Sequence, residues 1–296
     1  MESGGISRRT LVLGAAGAAV VLGGGGAVAR HEIDTHPGLR RFFGECGSTP
    51  PLPGAGTYVV HSHTMQSTSM GREMPYAVAI PRLEGYRSEP LPLIIALPGD
   101  GGAETDFAND LGLPNYANQA GLQACFVSPG NVDTSYYHPR QDGTDTLAYV
   151  VDELVPLVER TLHVGGSRKN RAVYGVSMGG FGALLIAQRY PHLVCAAAAG
   201  SPAVFTTYHD AVTGHSQTFD SEADWQRWGL WNQLGTMGQV PVRIDCGDAD
   251  PFAATARQLL ARIPHAVGGI SSGCHDRGFW RRHARQDLEF LGEFLI

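Results

Sequence analysis

The chain has 296 residues, 43% of them hydrophobic, enough to bury the core of one large domain. Its formal net charge is −6 with no basic run, which excludes a phosphate-tracking surface and with it nucleic acid as an expected partner. Five cysteines (Cys46, Cys125, Cys195, Cys246, Cys274) are too few for a disulfide scaffold, and none of their spacings is that of a C-x-x-C metal motif.

The N-terminus reads as an address. Ser7-Arg8-Arg9-Thr10-Leu11-Val12-Leu13 puts twin arginines before an apolar run that ends in Ala27-Val28-Ala29, small residues at both cleavage positions. The pattern predicts a twin-arginine-type export signal over residues 1–29, cleaved near Arg30, and a protein secreted or held in the cell envelope. An uncleaved anchor is the alternative, although Gly23–Gly26 weaken a helix that needs about 20 apolar residues to span. After processing no stable membrane span is expected.

A polar, Pro-rich lead-in (residues 30–55) follows. Tyr58–Ser62 and Pro75–Pro81 then read as an antiparallel opening pair, with Gly71 as turn material between them. From Leu91 onward, apolar strands (Leu93–Leu97, Ala124–Ser128, Ala172–Val176, Ala196–Ala199, Val242–Asp245, Ala266–Ile270) alternate with helical patterns, the signature of a mostly parallel sheet covered on both faces. The helices are expected at Leu147–Leu162, Met178–Arg189, Ala253–Ile263 and Trp280–Leu295. Thr206–Met237, rich in Trp and His, breaks this rhythm and is expected to be a cap or pocket insert.

Gly175-Val176-Ser177-Met178-Gly179 matches G-x-S-x-G, with a strand before it and a helix after it. A serine on so sharp a turn needs neighbours without side chains, and the N–H groups of the following helix favour developing negative charge. Ser177 is therefore the candidate nucleophile.

Ser177-Met178-Gly179-Gly180-Phe181-Gly182-Ala183-Leu184 resembles the esterase D group of the α/β-hydrolase superfamily, which is related to actinobacterial mycolyltransferases. Asp152-Glu153-Leu154-Val155-Pro156 and the closing His275-Asp276-x-x-Phe279-Trp280 extend the resemblance from about Tyr58 to the C-terminus. It implies an α/β-hydrolase catalytic domain over residues 56–296 that acts on small-molecule, lipid or glycolipid esters without a cofactor or metal. Gly-Gly after Met178 and an expected Asp rather than Glu as the acid depart from the mycolyltransferase pattern, which favours hydrolysis over acyl transfer to envelope sugars. A catalytically silent binding protein is the third reading.

The fold implies the chain order Ser, Asp, His. Its G-x-x-D spacing selects Asp250 after strand Val242–Asp245, with Asp248 as the alternative; a helix cap is the plain role for either. Gly273-Cys274-His275-Asp276 follows the last strand, where the family's general base lies, which points to His275; His283, inside the final helix, is the other candidate. Oxyanion donors are expected from the N–H groups of Met178 and, by resemblance, Asp100 in Pro98-Gly99-Asp100-Gly101-Gly102.

Weaker signals complete the reading. Tyr136-Tyr137-His138-Pro139-Arg140 and Asp142–Asp145 are expected at the sheet edge that carries the triad, lining a substrate pocket or merely solvated. Trp225, Trp228 and Trp231 at i, i+3 and i+6 suggest a packed cap helix or an apolar track. His61 and His63 share a strand face but suggest no third metal ligand. Cys246 and Cys274 end neighbouring strands, so either they form a disulfide between the acid and base loops or both are buried thiols.

Overall fold

The computed structural model describes residues 46–54, 57–82, 88–214 and 217–296; the expected export signal and most of the lead-in lie outside them. Eight strands, β1 (Tyr58–Ser67), β2 (Arg72–Pro81), β3 (Leu93–Leu97), β4 (Cys125–Pro129), β5 (Arg171–Val176), β6 (Ala196–Gly200), β7 (Val242–Gly247) and β8 (Val267–Ser271), form one sheet in the order β1-β2-β4-β3-β5-β6-β7-β8. β1 and β2 pair antiparallel, β2 joins β4 antiparallel, and the remaining pairs are parallel. This is the α/β-hydrolase architecture.

Side-chain alternation divides the core between two faces. On β3, Leu93, Ile95 and Leu97 pack on one face while Ile94 and Ala96 pack on the other. The first face carries α3 (Thr146–Ala148), a π-helical stretch (Tyr149–Leu154), α4 (Val155–Thr161), α5 (Met178–Arg189) and α8 (Ala253–Arg262). The second carries α1 (Asp106–Asn109), α2 (Leu113–Gln119) and α9 (Arg277–Gly292), through Phe107, Leu113, Leu288 and Leu291. Each fully buried Leu or Ile contributes about 1.5–3 kcal/mol, so both layers are held by the strand alternation itself. The alanine run of β6 lets helices approach closely from both sides.

The expected helix Leu147–Leu162 is not uniform. Pro156 has no N–H to return to the carbonyl four residues back, and the turn before it widens, with Val155 N–H bonding to Val150 O. The insert folds as α6 (Tyr208–Gly214), α7 (Glu222–Trp228) and a 3₁₀ segment (Leu230–Thr236). Gly229 ends α7, so Trp231 is not on the same helix as Trp225 and Trp228. The tryptophans are half-buried and packed: Arg189 and Arg227 lie over the Trp228 ring at 5.3 and 5.4 Å, and Arg262 over Trp231 at 4.4 Å.

The described part of the lead-in is fastened to the domain rather than loose. Cys46 forms a disulfide with Cys274. Arg282 donates to Ser48 O and Cys46 O, Arg281 to Pro50 O, and Asn115 to Pro53 O. The pairing Cys246–Cys274 is thereby corrected. β8 stops at Ser271 and its register sets Ile270 opposite Cys246, so Cys274 lies beyond the strand pair and faces Cys46, while Cys246 is a buried free thiol.

Candidate active site

β5 ends at Val176 and α5 begins at Met178, leaving Ser177 alone at the turn with φ 56° and ψ −121°, a conformation that non-glycine residues rarely adopt. Its N–H donates to Gly200 O, and its carbonyl accepts from Phe181 and Ala203 N–H, so the strained residue is held from both sides. A Cβ on Gly175 would collide with Gly179 O, and one on Gly179 with Leu97 O, which accounts for both glycines of the motif.

Three loops at the C-terminal edge of the sheet bring Ser177, Asp250 and His275 together. His275 Nε2 lies 2.9 Å from Ser177 Oγ, and His275 Nδ1 lies 2.8 Å from Asp250 Oδ2. Asp250 is buried, and its other oxygen accepts Phe252 N–H at 2.8 Å. A carboxylate only accepts, so Nδ1 carries the proton and Nε2 is left to take the one on Ser177. The imidazole packs against Phe252 and Trp280, with ring centroids 5.5 and 5.2 Å away. Such a line can draw the proton from a hydroxyl that attacks an ester carbonyl.

The two alternatives stand elsewhere. Asp248 Oδ1 accepts the N–H of Gly273 at 3.0 Å, so it ties the loop before His275 to the loop of Asp250. His283 donates from Nδ1 to Phe279 O at 3.0 Å and meets Ser271 Oγ with Nε2 at 3.1 Å, within α9 and the end of β8.

Met178 is the first residue of α5, so its N–H has no carbonyl four residues back within the helix. The turn after β3 lies against the nucleophile: a Cβ on Gly99 would stand 3.4 Å from Ser177 Cβ. Asp100 follows Gly99 in that turn, and Thr134 Oγ1 donates to its carboxylate at 2.9 Å.

A cavity of about 240 Å³ opens on Ser177 and His275 and is lined as well by Ala96, Tyr174 and Val176. Phe107, Leu111 and Trp280 give it apolar walls; Asp100, Asp106, Asp110 and Arg277 stand around it. Arg277 is paired with Asp110 at 3.1 Å. Burial, then repulsion from Asp110 and Glu104, holds the Asp106 carboxyl above its ordinary range. A larger cavity of about 510 Å³, lined by Arg243, His265 and Glu289, lies at the opposite end of the strands and has no part in this chemistry.

Residues 136–140 do not line the cavity at Ser177. Tyr137 Oη donates to Pro98 O, bracing the turn after β3 from beneath. His138 is fully buried, stacked on Phe219 and Trp228, and Arg140 pairs with Asp220 at 2.7 Å, so this loop anchors the insert. Asp145 caps α3 by accepting Ala148 N–H, and Asp142 holds Thr144. His61 and His63 sit side by side on β1, with His63 stacked on Tyr76. Among the described residues, one trio of potential metal ligands lies close enough to share an ion, Cys46, Cys274 and Asp276, and its two sulfurs are bonded to each other. The packing partners Phe252 and Trp280 escaped the sequence reading, although Trp280 stands in the closing motif.

Residues 67–267 match the model of the esterase family, described as "Putative esterase". No curated protein sequence matches the chain. Among solved structures, an S-formylglutathione hydrolase from Agrobacterium tumefaciens superposes with TM-score 0.67 at 20% identity, covering 82% of this chain and 97% of its own. MPT51 from Mycobacterium tuberculosis gives 0.64 at 16% identity, with coverage of 80% and 99%. A ferulic acid esterase from Anaeromyces mucronatus gives 0.61 at 18% identity, with coverage of 82% and 95%. At these identities the likeness is one of fold.

Proposed function

This chain belongs to the esterase family and is a serine esterase of the α/β-hydrolase fold, and from that premise we propose that it hydrolyses carboxylic esters of compact acyl groups through an acyl-enzyme on Ser177. The observation that carries the reading is the continuous line Ser177 Oγ, His275 Nε2, His275 Nδ1 and Asp250 Oδ2, with separations of 2.9 and 2.8 Å. Ser177 Oγ attacks the ester carbon while its proton passes to His275 Nε2, and the N–H groups of Met178 and Asp100 receive the oxyanion. The proton then goes from Nε2 to the departing alkoxide. Water then adds to the acyl carbon as it gives a proton to the same nitrogen, and the bond from Ser177 Oγ to that carbon breaks as the proton passes on to Oγ, which frees the acid and restores the enzyme. Asp250 keeps the imidazole in the tautomer that works and steadies the imidazolium.

The cavity at Ser177 suits the group that stays attached through the intermediate, with the alcohol leaving and water arriving from its open side. Its volume of about 240 Å³ favours a compact acyl group over a long lipid chain, and with it hydrolysis over lipid acyl transfer. Export is supported by the twin-arginine pattern and by a disulfide, a bond that persists in oxidising compartments.

Intact mass after exposure to a fluorophosphonate, followed by a p-nitrophenyl ester series, tests the proposal. One adduct on Ser177, and kcat/KM that falls by about tenfold or more once the acyl chain exceeds the cavity, are expected. An adduct elsewhere, or a rate that climbs steadily to long chains, overturns it.

A further inference from the structure

The base loop is fastened on every side. Gly273 N–H is held by Asp248, Gly273 O accepts Ala249 N–H, and Asp276 caps α9 by accepting Phe279 N–H. The remaining tether is covalent: Cys274, the residue before His275, is bonded to Cys46, whose position in the chain is 228 residues away. Both cysteines are buried, and with Ala249 they form a small apolar cluster directly behind the acid and base loops. Arg282 clamps the same strap by donating to Cys46 O at 3.0 Å and Ser48 O at 2.6 Å.

We propose that Cys46 is a positioning residue for the reaction: through its bond to Cys274 the N-terminal strap sets where the His275 imidazole stands, and reduction of that bond lowers turnover. The inference rests on the reading of His275 as general base. It goes beyond that reading by placing part of the catalytic geometry in a segment ahead of the first strand, and by making turnover depend on the thiol–disulfide state of the surroundings. Those hydrogen bonds can open one at a time, whereas the covalent bond holds Cys274 throughout. The Ser177–His275 contact of 2.9 Å is where drift matters, since a misplacement of about 1 Å can cost roughly 10²-fold in rate. In the reducing step a dithiol such as dithiothreitol supplies two electrons and two protons. The sulfur–sulfur bond becomes two thiols, and the reductant closes to its own cyclic disulfide.

The test compares the full chain with Cys46→Ser on a p-nitrophenyl ester, with thermal melting to measure the folded fraction. The expected result is kcat per folded molecule lower by about tenfold or more, KM within about twofold, and no further effect of dithiothreitol on the variant. Wild-type enzyme reduced until alkylation and mass count two additional thiols is expected to match the variant and to recover on reoxidation; it replaces the variant if Cys46→Ser does not fold. Unchanged kcat per folded molecule in the reduced or substituted enzyme overturns the proposal, as does a loss confined to KM. Failure of the underlying reading looks different: His275→Ala would then keep its activity whatever the state of the disulfide.

Discussion

At Ser177 the backbone is bent into a conformation that its type rarely adopts, and the cost is met by three backbone hydrogen bonds and two glycines without which the turn cannot close. Ser177→Ala keeps those bonds, so it is expected to fold normally and to lose about 10⁴-fold or more in ester hydrolysis, read by steady-state rates alongside a melting curve. The two aspartates of the acid loop divide their work. Asp250→Asn replaces an acceptor facing Nδ1 by an amide and is expected to lower kcat by about 10⁴-fold with little loss of stability. Asp248→Asn retains an oxygen for Gly273 N–H, so its kcat is expected to stay within roughly tenfold of wild type. A reversal of the two effects would exchange their roles. Residue identities here were legible because local geometry imposes G-x-S-x-G, while the resemblance to the esterase D group implies the order Ser, Asp, His that picks out Asp250 and His275. The brace made by Asp248 was not legible, since its partner is a backbone N–H twenty-five positions away.

Elements were legible where their period was strong. The central strands β3 to β7, buried on both faces, announce themselves as apolar runs, and all eight strands appear within a few residues of where the sequence puts them, whereas α1 and α2 were missed because four and seven residues are too few to establish a helical period. For the loop 136–140 the shared edge with the triad leaves pocket lining and plain solvation open; what it does is hold the insert. The pair Arg140–Asp220 carries that attachment, aided by Gln141 N–H on the second carboxylate oxygen. Hydrogen bonding from Arg140, then from Gln141, outweighs burial and holds the Asp220 carboxyl below its ordinary range. A carboxyl whose folded pKa is depressed adds stability above the unfolded value, and that stability is lost as pH falls through the folded one. Asp220→Asn is therefore expected to cost about 2 kcal/mol in denaturant unfolding at neutral pH, with the difference shrinking toward acid. A difference that does not depend on pH would assign the effect to shape and not to charge.

For the molecule as a whole, the sequence predicted a mostly parallel sheet and left the cysteines undecided between two states. The pairing that formed belongs to neither, because contact between positions 46 and 274 depends on where a segment without any period comes to rest. No propensity encodes that. Loop-closure entropy over a separation of 228 residues makes such a bond worth roughly 5 kcal/mol in the chain-entropy model, near the top of the usual range.

The bond between Cys46 and Cys274 also changes what kind of object the domain is, for it closes the backbone into a ring that contains all eight strands. Ser177 and Asp250 lie inside the ring, and His275 is the first residue outside it. A protease cut in the exposed stretch Gln141–Gly143 would therefore open the ring without releasing a piece. Mass on a non-reducing gel is expected to stay whole and to split only when reductant is added; separation without reductant would mean that the ring is open in solution. The same topology sets α9 apart, since every strand is enclosed by the covalent ring while the helix that follows the histidine is joined to it at one end only, and is otherwise kept in place by its packing and by the hydrogen bonds of Arg281 and Arg282 to the strap.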